Sequence, residues 1–165
     1  MKKGKKYNLV KRNIAISMLL GMFLNNLTFT NELIKVRNGS SARVITAPNG
    51  TPMIELADPN GNRISVNDFD RLSVDEKNLI LNNISSKEGI GYRSELGGII
   101  APNENYTGNP ARAILLRVHK DPSVINGFIE AASTGKVDMF LSNPNGIYLN
   151  GGLVGRFGNV TFTTG

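Results

Sequence analysis

The sequence predicts an all-β fold, and three observations carry that prediction. Short apolar runs alternate with polar residues at period two, Asn- and Gly-bearing turn sequences separate the runs, and no segment shows a long, capped helical period. Alternation at period two puts apolar side chains on one face of a strand and polar ones on the other. A helix would need its apolar residues three and four apart.

Residues 1–30 contain Lys2, Lys3, Lys5, Lys6, Lys11 and Arg12 and no acid, and this basic run leads into the uncharged stretch from Ile14 to Leu24. Spanning a bilayer takes about 20 apolar residues, whereas a secretory signal joins a charged start to an apolar stretch of about 7–15. Residues 1–30 are therefore expected to be a signal peptide, cleaved near residue 30 and read by the inner-membrane translocase, with no permanent membrane span. The formal net charge of the 165-residue chain is +6, and those six basic residues account for all of it. From Asn31 onward, 13 basic residues face 13 acidic ones. A balanced body lacks the clustered positive charge that binds phosphate backbones, so no nucleic-acid partner is expected.

The exported part reads as strand after strand. Pro52-Met53-Ile54-Glu55-Leu56, Arg63-Ile64-Ser65-Val66-Asn67, Arg71-Leu72-Ser73-Val74-Asp75 and Val160-Thr161-Phe162-Thr163 all alternate. Ala47-Pro48-Asn49-Gly50, Asp58-Pro59-Asn60-Gly61 and Asn143-Pro144-Asn145-Gly146 each put Pro second and Gly fourth, as type I turns favour. Residues 110–120 are ambiguous, since Pro110 suits a first helical turn, but the stop at Asp121-Pro122 favours a strand. The step from Val137-Asp138-Met139-Phe140 to Asn159-Val160-Thr161-Phe162 is 22 residues, within the solenoid range of about 20–45. On these residues alone a sandwich, a barrel and a β-helix all stay open.

Chemistry-bearing residues are sparse. Absence of Cys excludes disulfides and thiolate metal sites, and a single His119 leaves little room for a multi-histidine zinc site. The acidic pairs Asp68/Asp70 and Asp75/Glu76 are expected at solvated strand positions. Asp58-Pro59-Asn60-Gly61-Asn62 places its Gly too early for a calcium loop. Gly152, Gly155 and Gly158 are expected at corners. No enzyme activity, no catalytic residue, no metal and no cofactor is expected.

The order and spacing of further elements point to a family. Leu96-Gly97-Gly98-Ile99-Ile100, Ala113-Ile114-Leu115-Leu116-Arg117-Val118, Asn126-Gly127-Phe128-Ile129-Glu130 and Leu141-Ser142-Asn143-Pro144-Asn145-Gly146-Ile147 resemble the two-partner secretion (TPS) domain. This is the amino-terminal domain of filamentous hemagglutinin-like adhesins and contact-dependent inhibition toxins. Asn49-Gly50-Thr51-Pro52-Met53-Ile54 and Leu79-Ile80-Leu81-Asn82-Asn83 look like its first strands. The resemblance implies a right-handed parallel β-helix with an amino-terminal cap and extra-helical strands, incomplete at its carboxy-terminal end, with the TPS domain over residues 31–165. It implies a secretion motif at Asn143, Pro144, Asn145, Gly146 and Ile147, and a degenerate second motif at Pro102 and Asn103, where Ala101 and Glu104 depart from the family's Asn and Leu.

The same resemblance implies a secretion and targeting module of a large exported adhesin-type protein. Its implied partner is an outer-membrane β-barrel transporter with periplasmic chain-binding domains, and its destination the medium or the cell surface. A second expectation is an adhesin fragment that binds host or bacterial surfaces, an activity the family places in a downstream region. A third is a non-functional truncated gene product.

Overall fold

A computed structural model describes residues 32–165, and the leader expected over residues 1–30 lies outside the described residues. The strands are β1 (Ile34–Val36), β2 (Arg43–Thr46), β3 (Pro52–Glu55), β4 (Ile64–Leu72), β5 (Leu79–Asn82), β6 (Tyr92–Ser94) and β7 (Gly98–Ile100). They continue as β8 (Ala113–Val118), β9 (Ser123–Ile125), β10 (Phe128–Ala132), β11 (Val137–Ser142), β12 (Ile147–Leu149), β13 (Gly152–Gly155) and β14 (Phe157–Thr163). The ambiguous stretch at 110–120 is thus the strand β8.

Three sheets wrap around one core. Strands β4, β8, β11 and β14 run parallel in the first, β3, β5, β10 and β13 run parallel in the second, and β9 pairs β12 in the third. Each coil visits the sheets in turn, and a parallel bridge from Val74 to Ile125 carries the first coil through the third sheet. This is a parallel β-helix, with the crossover connection that strand twist makes right-handed. Its amino-terminal end is capped by β1, antiparallel to β4, and β2, antiparallel to β3. Strands β6 and β7 form a separate antiparallel pair outside the coils.

The interior stacks coil upon coil. Ile114, Leu116 and Val118 of β8 and Val137, Met139 and Leu141 of β11 point inward, joined by Leu79 and Leu81 of β5 and Ile129 of β10. A second apolar cluster of Met53, Ile80, Ile100 and Ala132 lies on the outer face of the second sheet, beneath the β6–β7 pair. Covering both faces explains why β5 is buried throughout.

Four readings of the sequence change in the folded chain. In β4 the alternation is inverted: Ser65 and Asn67 are fully buried, while Ile64 and Val66 are only half-buried. Period two fixes that two faces differ, and only the neighbouring coil decides which one is inside. The 22-residue step is also off by one, because Met139 faces Val160 and Phe140 faces Thr161, with a register shift after Val137. The Asp138 side chain stabilises that shift by accepting from Asn159 N at 2.7 Å, and Gly158 lies inside β14, where a Cβ would sit 2.5 Å from Asp138 Oδ1. The predicted turn at Asp58–Gly61 moves to Asn60–Arg63, closed by Arg63 N donating to Asn60 O at 2.8 Å. Asn60 Oδ1 pulls the chain around there by accepting from Asn62 N and Ile64 N. Residues 71–75 are the end of β4 and the corner after it, not a strand of their own.

Candidate functional site

Asn143 directly follows β11 and leads the turn predicted at 143–146, which Gly146 N closes by donating to Asn143 O at 3.1 Å. Gly146 has φ +113, a conformation that costs a residue with a Cβ and is open to glycine. The Asn143 side chain is completely buried and fully bonded. Its Nδ2 donates to Asp121 O and Ser123 Oγ, each at 2.9 Å, and its Oδ1 accepts from Asn145 N at 2.9 Å. Asn143 N also donates to Thr163 O on the following coil at 2.9 Å. One residue therefore joins three successive coils at a corner. Pro144 and Asn145 are exposed on the outside of that corner, and Ile147 packs against the core.

The second motif repeats this geometry elsewhere. Asn103 is buried, its Nδ2 donating to Leu56 O at 3.0 Å and Asn82 O at 2.9 Å while its Oδ1 accepts from Asn105 N at 2.9 Å. Tyr106 N then donates to Asn103 O at 3.1 Å. Asn103 thus stands where Asn143 stands, at the head of an Asn-x-Asn turn, and half-buried Pro102 precedes that turn. The resemblance instead puts Asn103 at the third place of the motif. The two turns are not brought together: one ties β11 to the third sheet, the other pins the ends of β3 and β5.

Around Asn103 lies a buried polar lattice that the sequence reading did not single out. Asn83 Nδ2 donates to Ala111 O and Ser133 Oγ, and its Oδ1 accepts from the Tyr106 hydroxyl at 2.8 Å and Ala111 N at 2.9 Å. Burial pushes the Tyr106 phenol above its ordinary pKa, keeping it a donor. Glu55 accepts from Asn82 Nδ2 at 2.8 Å and Glu104 N at 2.6 Å, and desolvation nevertheless raises its pKa. Glu130 fastens the β6–β7 pair, accepting from Ser94 Oγ at 2.6 Å and from Glu95 N and Leu96 N at 2.9 Å. The available signal was a polar doublet, Asn82-Asn83, directly after the apolar run from Leu79 to Leu81.

The residues considered for chemistry are occupied structurally. Asp68 accepts a bidentate pair from Arg117 at 2.9 and 2.7 Å and faces His119 Nε2 at 2.7 Å. Partial burial works against its charge, but Arg117 and His119 outweigh that and hold its pKa below the ordinary value. Asp70 is paired with Lys120 and Arg37, and its pKa is likewise lowered, chiefly by Lys120. These carboxylates are ion-paired on the outer face of the first sheet, where the sequence reading had left them solvated. Asp75 shapes a turn, accepting from Lys77 N at 3.0 Å. Among the described residues no His, Asp and Glu group could hold a metal ion, and no helix is long and apolar enough to cross a membrane.

The family model for the TPS secretion domain matches residues 31–165. The chain belongs to the TPS secretion domain family. It is 35% identical over 133 residues to the tRNA nuclease CdiA of Yersinia mollaretii, covering 80% of this chain and 4% of that protein. Against the filamentous hemagglutinin of Bordetella pertussis it is 35% identical over 124 residues, 74% of this chain and 3% of that one. Against the hemolysin of Serratia marcescens the figures are 32% over 120 residues, 72% and 7%. The crystal structure of the filamentous hemagglutinin secretion domain aligns with a TM-score of 0.67 at 31% identity, over 80% of this chain and 42% of that chain. The TPS domain described here thus spans 3% to 7% of the length of these relatives.

Proposed function

We propose that this TPS domain is the secretion and targeting module of a larger exported protein of the adhesin and toxin kind. One observation carries the reading: proteins called a tRNA nuclease, a filamentous hemagglutinin and a hemolysin share this same segment while it makes up at most 7% of each. A segment common to such different activities supports the step they have in common, which is leaving the cell. The nuclease and hemolysin names attach to whole proteins, and the segment itself acts without catalysis.

On this reading the leader at 1–30 engages the inner-membrane translocase and is removed near residue 30. The following chain crosses the periplasm and meets an outer-membrane β-barrel transporter whose periplasmic domains bind it by strand addition, the mode by which an extended segment pairs with an open strand edge. No cysteine is present to cross-link the chain during passage. Asn143 to Ile147 act through the corner they build, since Asn143 joins three coils only in the folded state.

Coexpression with a two-partner transporter in a host with an outer membrane tests this. Release of the chain into the medium is expected only when the transporter is present, and deletion of Asn143 to Ile147 is expected to abolish it. Equal release without the transporter overturns the reading, and undiminished release of the deletion variant overturns the role of the corner.

A further inference from the structure

Six Asn-Gly steps occur in the chain, at Asn38, Asn49, Asn60, Asn126, Asn145 and Asn150. Asn-Gly is the dipeptide most open to self-modification, because glycine offers no side chain to shield its backbone nitrogen from the preceding Asn. That nitrogen, after giving its proton to water, attacks the Asn Cγ. A five-membered imide forms and ammonia leaves, and water then opens the ring at one of its two carbonyls. Hydrolysis at Cγ leaves Asp, and hydrolysis at the main-chain carbonyl leaves isoaspartate, whose backbone runs through the former side chain. Each step needs the Gly N–H free and the Asn amide able to swing over it.

Five of the six steps are held. Gly50 N donates to Ala47 O at 2.8 Å, while Asn49 Nδ2 donates to Leu96 O at 2.7 Å. Asn60 Oδ1 is committed to Asn62 N and Ile64 N. Gly127 N donates to Val74 O and Gly151 N to Ile125 O, and the two asparagine side chains before them are bonded to each other at 3.0 Å. Gly146 N is bound to Asn143 O, and Asn145 Nδ2 donates to Asn143 Oδ1.

Asn38 has neither restraint, whereas Asn60, whose glycine is equally open and whose Gly61 N–H is equally unbonded, is held through its Oδ1 alone. Asn38 is exposed, and among the described residues its side chain makes no hydrogen bond and the Gly39 N–H donates to nothing. Space around Gly39 is open, with nothing within 4 Å of where a Cβ would sit. We propose that Asn38 is a spontaneous modification site, converting to aspartate and isoaspartate in the folded domain while the other five Asn-Gly steps are protected by the hydrogen bonds that hold them. Its position gives the reaction a consequence. The step lies in the turn that Ser40 N closes on Arg37 O at 3.0 Å, between cap strands β1 and β2, so isoaspartate lengthens the backbone within that turn. It also adds one negative charge to a body whose charges otherwise balance.

The test ages the full folded chain at mildly alkaline pH and body temperature, then digests it and locates the amide-to-acid mass change and isoaspartate by mass spectrometry and isoaspartyl methyltransferase labelling. A parallel sample is aged in urea. Conversion in the folded chain is expected at Asn38 at least about tenfold faster than at any other Asn-Gly, because the others must first open locally. In urea all six are expected to react at similar rates, and Asn38→Gln is expected to remove the folded-state signal. The proposal is overturned if another Asn-Gly step converts as fast as Asn38 in the folded chain, or if folding slows Asn38 as much as it slows the rest.

Discussion

The amino-terminal coils of this β-helix and the coil ending at residue 165 are held together in different ways. From β2 to β8 the corners are knotted by buried polar side chains, with Glu55, Ser65, Asn67, Asn82, Asn83 and Asn103 all at 2% exposure or less. Toward residue 165, β12, β13 and β14 contain no fully buried residue, and Val160 and Phe162 of β14 rest on the coil before them as half-buried apolar contacts. Apolar stacking is tolerant of register, whereas a buried amide with four partners is satisfied in one arrangement only. The contrast teaches that buried amides fix the arrangement of a corner, at Asn83 and Asn103 as at Asn143, whereas apolar stacking between coils constrains register less.

That comparison is broken most directly at Asn83. Asn83→Ala strands Ala111 N, the Tyr106 hydroxyl and Ser133 Oγ without their partner, and is expected to cost about 4 kcal/mol or more, read from urea unfolding. A loss under about 1 kcal/mol would mean the polar lattice specifies little. Phe162→Ala in β14 is the matched control. Its half-buried ring predicts a loss of about 1.5 kcal/mol with the midpoint shifted and the slope unchanged. Gly146→Ala follows at about 1 kcal/mol, the cost of forcing a Cβ into φ +113 with no close neighbour but Tyr148 at 3.8 Å.

The smallest effect sharpens the comparison through pH. Asp68 has a folded pKa below its unfolded one, so its ion pairs stabilise the fold above the ordinary carboxylate range, and that contribution disappears as pH falls through the lowered value. With Arg117 half exposed, screening keeps it below about 1 kcal/mol. Glu55 acts in the opposite sense: its raised pKa makes the charged form a cost near neutrality, relieved as pH falls through the raised value. Stability of Asp68→Asn between neutral and acid pH is therefore expected to fall less steeply than that of the parent chain, and Glu55→Gln to fall more steeply. Parallel curves for all three would show that neither carboxylate is coupled to folding.

Much of the site was readable from local chemistry. The turn at Asn143–Gly146 needs only Pro second and Gly fourth, and it folds as the sequence implies. The turn expected at Asp58 has the same pattern and yet forms two residues later, because Asp58 is drawn to Thr107, whose N and Oγ1 it accepts at 3.1 and 2.6 Å. Thr107 is far along the chain, so no local signal announces it. Asn103 was likewise matched by its neighbours in sequence, whereas its place in the turn is defined by bonds to β3 and β5.

By itself the sequence determined that the chain is built of short strands, where most of them lie, that its excess positive charge is confined to residues 1–30, and which family it joins. Those properties depend on composition and on spacings of a few residues. Only the tertiary structure decided which face of β4 is inside, the register between β11 and β14, and which asparagines are buried and fully bonded. Each of these depends on a neighbour a full coil away, 20 residues or more along the chain, and a strand carries no record of that neighbour until the coils have stacked.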